Sequence, residues 1–385
     1  MSDNKEATTS VKRMHWMDNL RTFIIFLVVL YHAGGVYEST GAWAYFWIVD
    51  DPATNQVVDL LNAIFNFFLM PAMFLLAGYV TPISLDKGNG WAFVKARFRR
   101  LIIPWAIAVL TLIPLYKVIF LFSRGLPQEH WTTYFHFSAG NITGQGWLWF
   151  LPVLFLFNIV YMLLAKAGIR LPGVPLNGAI LGAFLVAVLS SVAVGAVWGH
   201  ANWTQNALID FENQRLLPHF LAFLLGALCY RQKTFAEKPG GLWLYIVVSS
   251  TIWIPILAYV FFGLALIGAA GAALIAPVLD FVILWTFFYL AQLGLVYLSV
   301  QSFWRYVDRT GKIWNELNRN SYYVYIIHVI VLGVIALLLL NVAMPSLLKY
   351  LTLTVATFVA CNLIVSLFRR AADRVRGRST SESGP

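Results

Sequence analysis

The run LRTFIIFLVVLYHAGG, residues 20–35, is apolar except for Arg21 near its start and His32 near its end. At about 100° per residue, the steps between them come to roughly three turns plus 20°, so in a helix both side chains fall on one face, about 16 Å apart along the axis. Ionisable groups inside a membrane are expensive, and function is their default reading. An imidazole is a base near neutrality, and a guanidinium is a rigid fork for phosphate or carbonyl oxygens. The plainer account has Arg21 snorkelling to headgroups and His32 serving as a hydrogen-bonded core histidine. Their shared stripe favours a functional pair, with His32 as the base and Arg21 as its cationic companion.

Two further clusters have suitable types and spacing. In NSYYVYIIHVIVLG, Ser321, Tyr325 and His328 follow at spacings of four and three and share a helix face. They line or support a cavity or, on the plainer account, hold helices together by hydrogen bonds. In WAFVKARFRRLIIPW, with Lys87 just before it, Lys95, Arg97, Arg99 and Arg100 collect where a span begins. Most such runs only set orientation. Arg97 and Arg100, at i and i+3, are nevertheless expected to point the same way, and guanidinium forks suit phosphate groups. The sequence has no metal-ligand cluster, phosphate-binding loop or GxSxG elbow.

These residues need elements to hold them, and composition says which. Of 385 residues, 60% are hydrophobic, 16% aromatic and 11% charged, with a mean hydropathy of +0.73. That is more apolar surface than a soluble core could bury. The fold class is therefore an all-α polytopic membrane protein. Windows of roughly 20 apolar residues predict about ten spans, near 20–38, 58–80, 101–122, 147–165, 176–198, 216–230, 242–261, 277–300, 321–341 and 346–368. The apolar, Gly- and Ala-rich stretch 262–276 stays open between a hairpin, a re-entrant piece and a span. No small-residue cleavage site follows the first apolar run, which reads as a retained span.

With alternate loops on opposite sides, all but four of the 27 Lys and Arg fall on one side, the exceptions being Lys117, Arg124, Arg215 and Lys349. By the positive-inside rule, that side and both termini are cytoplasmic. Arg21 then lies near the inner interface and His32 past the bilayer midplane. The same asymmetry accounts for the net charge of +10 through anionic lipid headgroups, and a nucleic-acid partner is rejected.

Residues 1–19 read as a cytoplasmic tail, 20–368 as one transmembrane domain, and 369–385 as a basic, then disordered, cytoplasmic tail. The outer loops 39–57, 123–146 and 199–215 carry Trp, His, Asp, Glu and Gln in place of Lys. They suit a polar, sugar-like ligand or serve as plain solvated connectors. Two Asn-X-Thr patterns, at Asn141 and Asn202, lie in them and carry little weight. Cys229 and Cys361 fall in apolar segments and suggest no disulfide framework.

Taken together, Arg21 and His32 within MDNLRTFIIFLVVLYH, MFLLAGY ending the second span, Arg97 and Arg100 within ARFRRLIIPW, GWLWFLPVLF with its Trp149, and SYYVYIIH resemble the acyltransferase-3 family. These are membrane-bound, acyl-CoA-dependent transferases that modify glycans at the cell surface. The resemblance covers about residues 17 to 370 and looks closest to the branch of glucan-modifying succinyltransferases. Where many relatives carry a polar residue before the Met-Pro of the second span and a Ser before its Gly-Tyr, this chain has Leu69 and Ala77, which bears on substrate identity. The resemblance implies acyl-CoA used on the cytoplasmic side and an acyl group, acetyl, succinyl or similar, delivered to an external hydroxyl of a polysaccharide or other glycan, in the plasma (inner) membrane.

Acyl transfer from a thioester to an alcohol needs a base for the hydroxyl and cationic donors for phosphates and for the oxyanion. It needs little acid for a thiol of pKa about 8.5. His32 fits the base, and Arg97 and Arg100 fit the coenzyme A phosphates. Arg21 would neutralise charge along the pantetheine path or orient the thioester carbonyl. Direct transfer and an acyl-His32 intermediate both remain open. No metal is expected. The rival from another class is a transporter or flippase of a lipid-linked glycan, but the prolines show none of the paired, symmetric interruptions that such folds carry.

Overall fold

The computed structural model describes residues 14–39, 47–135, 144–169, 173–237, 239–269 and 271–381. Nearly all of them are helical. In chain order the helices are α1 (His15–Tyr37), α2 (Gln56–Leu85), α3 (Gly90–Arg97), α4 (Ile103–Ser123), α5 (Phe150–Lys166), α6 (Leu176–Trp198), α7 (Leu216–Arg231), α8 (Trp243–Thr251), α9 (Trp253–Gly268), α10 (Pro277–Tyr306), α11 (Lys312–Leu339) and α12 (Ser346–Ser381). A π-helical turn, Phe98–Ile102, fuses α3 to α4, and a 3₁₀ turn, Gly146–Trp149, opens α5. Strands β1 (Trp203–Thr204) and β2 (Phe211–Glu212) form an antiparallel hairpin in which Trp203 faces Glu212.

Among the described residues, nine helical segments are long and apolar enough to cross a membrane, with α3–α4 and α8–α9 each acting as one. The tenth expected span is α7, only 16 residues long. It packs flush on α2, where a Cβ at Gly78 would stand 1.9 Å from the Phe223 carbonyl oxygen. Small residues allow such backbone approach between helices in lipid.

Helix α1 belongs to both apolar cores. One gathers Ile25, Phe74, Trp105, Leu148, Phe223 and Leu332; the other gathers Leu20, Ile24, Phe67, Ile256, Phe288 and Tyr289. The α8–α9 span is peripheral, burying only Ile252 and Ile256 among its described residues.

Several boundaries differ from expectation. Helix α1 begins at His15, inside the expected tail, because Trp16 and Asn19 are buried: Asn19 Nδ2 donates to the Val307 and Arg309 carbonyls at 2.8 and 2.9 Å. The stretch 262–276 divides: up to Gly268 it continues α9, and the rest turns into α10, with Gly271 at φ +92° and the Asp280 carboxylate accepting from the Leu274 and Ile275 amides. Past 368, the tail expected to be disordered continues α12 as helix to Ser381. Its Arg- and Ala-rich sequence favours helix, and Arg369 fastens its first turn to Glu316 and Asn320. Asn141 lies outside the described residues.

Candidate active site

Helices α1 and α11 run parallel, and their polar residues meet at matched heights. At one level, Thr22 Oγ1 donates to Asn318 Oδ1 at 2.6 Å, and Asn318 Nδ2 donates to Asn19 Oδ1 at 2.8 Å. Arg21 sits here, with its guanidinium 3.3 Å from both the Asp18 carboxylate and the Asn318 carbonyl oxygen. Three turns higher, His32 Nδ1 stands 2.8 Å from His328 Nε2. The ten residues from 318 to 328 rise about as far as the eleven from 21 to 32, so the stripe seen on α1 is the seam it shares with α11.

His32 is framed on its other side by Trp47, stacked at 5.2 Å between centroids and 9° between planes. A Cβ at Gly35 would stand about 3.0 Å from that indole, so this glycine makes room for Trp47. Segment 47–55 is pinned from behind: Arg124 donates to the Trp47 carbonyl at 3.0 Å, and Lys349 meets Asp51 at 2.8 Å in a buried ion pair. Beneath His328, Nδ1 lies 2.6 Å from the Tyr325 carbonyl oxygen. The Tyr325 hydroxyl donates to the Trp147 carbonyl, and Trp147 Nε1 donates to the Ile326 carbonyl at 2.9 Å.

His32 and Tyr325 open onto a cavity of about 700 Å³, a size that holds a small-molecule ligand. Trp149 lines it, stacked on His219 at 5.8 Å and edge-on to Trp203 at 5.6 Å. The loop 199–215 supplies Trp203, Gln205, Asp210, Glu212 and Arg215 to the wall. It is clasped to the residue before the 3₁₀ turn that opens α5: the Asp210 carboxylate accepts from the Gln145 amide at 2.6 Å, and within the loop from the Asn206 amide at 2.9 Å. Burial raises the Asp210 pKa, and those two amides oppose the rise. Arg215 is tied to Asn66 at 2.8 Å and to Glu212 at 3.3 Å.

The other expected residues lie apart. Arg21 does not line the cavity and lies three helix turns from the His32–His328 contact. Ser321 Oγ donates to the Asn318 carbonyl within its own helix, a packing role. Between Arg97 and Arg100 the helix passes into π geometry, the Ile103 amide reaching back five residues to Phe98. Arg97 donates to Ser84 Oγ at 3.0 Å, whereas the Arg100 side chain is exposed and its carbonyl accepts from the Tyr322 hydroxyl.

Sequence reasoning missed Trp47, His219 and the Arg215–Glu212 pair. His219 was findable, being a third histidine in an apolar helix, LLPHFLAFLLG; Trp47 carried no comparable signal. A family model described as an acyltransferase domain matches residues 14–366. No curated protein and no solved structure matches the chain.

Proposed function

The chain belongs to the acyltransferase-3 family and is a multi-pass membrane acyltransferase, and from this premise we propose that it moves an acyl group from cytoplasmic acyl-CoA to a hydroxyl of an extracytoplasmic glycan, with His32 as the base. His32 takes the hydroxyl proton as the oxygen attacks the thioester carbonyl carbon. The carbon–sulfur bond breaks, and the proton passes to the departing coenzyme A thiolate. A thiolate is a good leaving group, so the hydroxyl is where base catalysis matters.

The observation that carries this reading is His32, backed by His328 at 2.8 Å, on the wall of a cavity that mixes tryptophans with amide and carboxylate side chains. Flat aromatic faces and mixed donors and acceptors suit a polyhydroxylated ring. Arg97 and Arg100 hold the coenzyme A phosphates at the cytoplasmic surface of the inner membrane, and Arg21 lies on the donor's path between them and His32. The four cations assigned to the outer side support the orientation. Lys117, Arg215 and Lys349 are paired with Glu129, Glu212 and Asp51, and Arg124 holds the Trp47 carbonyl. Each is fixed by a local partner and so is not a free topogenic charge.

The test is transfer from radiolabelled acetyl- or succinyl-CoA to a glycan, measured per folded molecule in detergent. His32→Ala and His32→Gln should both be inactive while still binding donor, because an amide keeps the approximate size but cannot take the proton. Full specific activity in His32→Gln would overturn the assignment.

A further inference from the structure

The hydrogen bonds at His328 fix more than a position. A carbonyl oxygen can only accept, so the 2.6 Å contact to the Tyr325 carbonyl requires the hydrogen on His328 Nδ1. A neutral imidazole carries one N–H, which leaves His328 Nε2 with its lone pair. That atom, 2.8 Å from His32 Nδ1, must then accept, so the hydrogen of His32 is on Nδ1. His32 Nε2 is left bare.

We propose that His328 is a positioning residue that holds His32 in the one neutral tautomer able to act as a base through Nε2. The proposal rests on the reading of His32 as the base. The role is the one a carboxylate commonly plays behind a catalytic histidine. Here it falls to a side chain that is fully buried among apolar helices, where an unpaired carboxylate would be costly. The hydrogen-bond direction is imposed from outside the pair, by a backbone carbonyl that cannot reverse its role.

The surroundings hold the arrangement still. The Tyr325 hydroxyl on the Trp147 carbonyl and Trp147 Nε1 on the Ile326 carbonyl lock the 325–328 turn to the start of α5. The stacked Trp47 indole restrains rotation of the His32 ring. During transfer, the proton from the hydroxyl arrives on Nε2 while the Nδ1 hydrogen stays shared with His328, and the same Nε2 hydrogen leaves to the thiolate. His328 gains and loses nothing over the cycle.

The test uses full-length protein with ¹⁵N-labelled histidine in lipid nanodiscs, the His32 signals being assigned by their loss in His32→Gln. Wild type should show His32 protonated at Nδ1 and bare at Nε2; a hydrogen on His32 Nε2 overturns the proposal. His328→Phe keeps the ring but removes the acceptor. It should mix the His32 tautomers and lower kcat by about 10²- to 10⁴-fold with KM for acyl-CoA unchanged. His328→Gln restores an acceptor and should recover kcat to within about tenfold of wild type together with the wild-type tautomer. Full kcat in folded His328→Phe overturns the proposal, and if that variant does not fold, the wild-type spectrum and the Gln variant decide. Activity in His32→Gln would remove the base while leaving the tautomer measurement intact, so the two failures are distinguishable.

Discussion

Lys349 and Asp51 meet at 2.8 Å with side chains 4% and 0% exposed, joining the start of α12 to the segment that carries Trp47. Each has one further bond: Lys349 Nζ donates to the Leu340 carbonyl at 3.2 Å, and Asp51 Oδ1 accepts from the Ala53 amide at 2.9 Å. Lys349→Met keeps the length of the side chain and strands a buried carboxylate; Asp51→Asn keeps the shape and strands a buried ammonium. Breaking such a pair from one side costs about 3–5 kcal/mol, whereas replacing both charges at once is often close to neutral. The double variant should therefore be more stable than either single one, with a coupling of several kcal/mol in the double-mutant cycle. Cys229 and Cys361 are free and buried, so a thiol-reactive dye reports heat unfolding in detergent without added labels. The expected order of apparent melting temperature has wild type and the double variant together, above both single variants. Transfer per folded molecule should also fall in the singles, because the strap behind Trp47 loosens. Single variants within about 1 kcal/mol of wild type would make this an ordinary surface pair and refute the reasoning.

Replacing Arg97 and Arg100 together by Gln should weaken acyl-CoA binding in titrations of purified protein, each lost charge-assisted hydrogen bond being worth about 1.5–3 kcal/mol; unchanged affinity would return both residues to a purely topological role. Cysteines introduced in 123–146 and 199–215 should react with an impermeant reagent from outside intact cells and those in 87–95 and 231–238 should not, the opposite pattern inverting the orientation. Gly78→Ala places a methyl group 1.9 Å from the Phe223 carbonyl oxygen, backbone that cannot swing aside. The yield of folded protein should drop sharply, and an unchanged yield would mean that α2 and α7 pack less tightly than described.

What could be read from the sequence was the part governed by periodicity and by membrane solvation. The face shared by Arg21 and His32 is real, and so is the face of Tyr325 and His328, because side-chain direction along a regular helix follows from spacing alone. That the two faces meet depends on how α1 and α11 set their heights, which the Asn19–Thr22–Asn318 bonds arrange and no single-helix pattern encodes. Between Arg97 and Arg100 a π turn interrupts the α-helical regularity from which their shared face is inferred. Trp47 and the 203–212 hairpin were invisible because loop positions are fixed by distant partners such as Arg124, Lys349 and Gln145.

The α8–α9 span buries little beyond Ile252 and Ile256, and its most apolar window is only 11% buried. For most of its side chains the neighbour is lipid, a fluid that accepts any shape of similar polarity. Substitutions among Leu, Ile, Val and Phe should therefore accumulate there almost neutrally over generations. On α1 and α11, where each neighbour is a particular atom of another helix, one change obliges another.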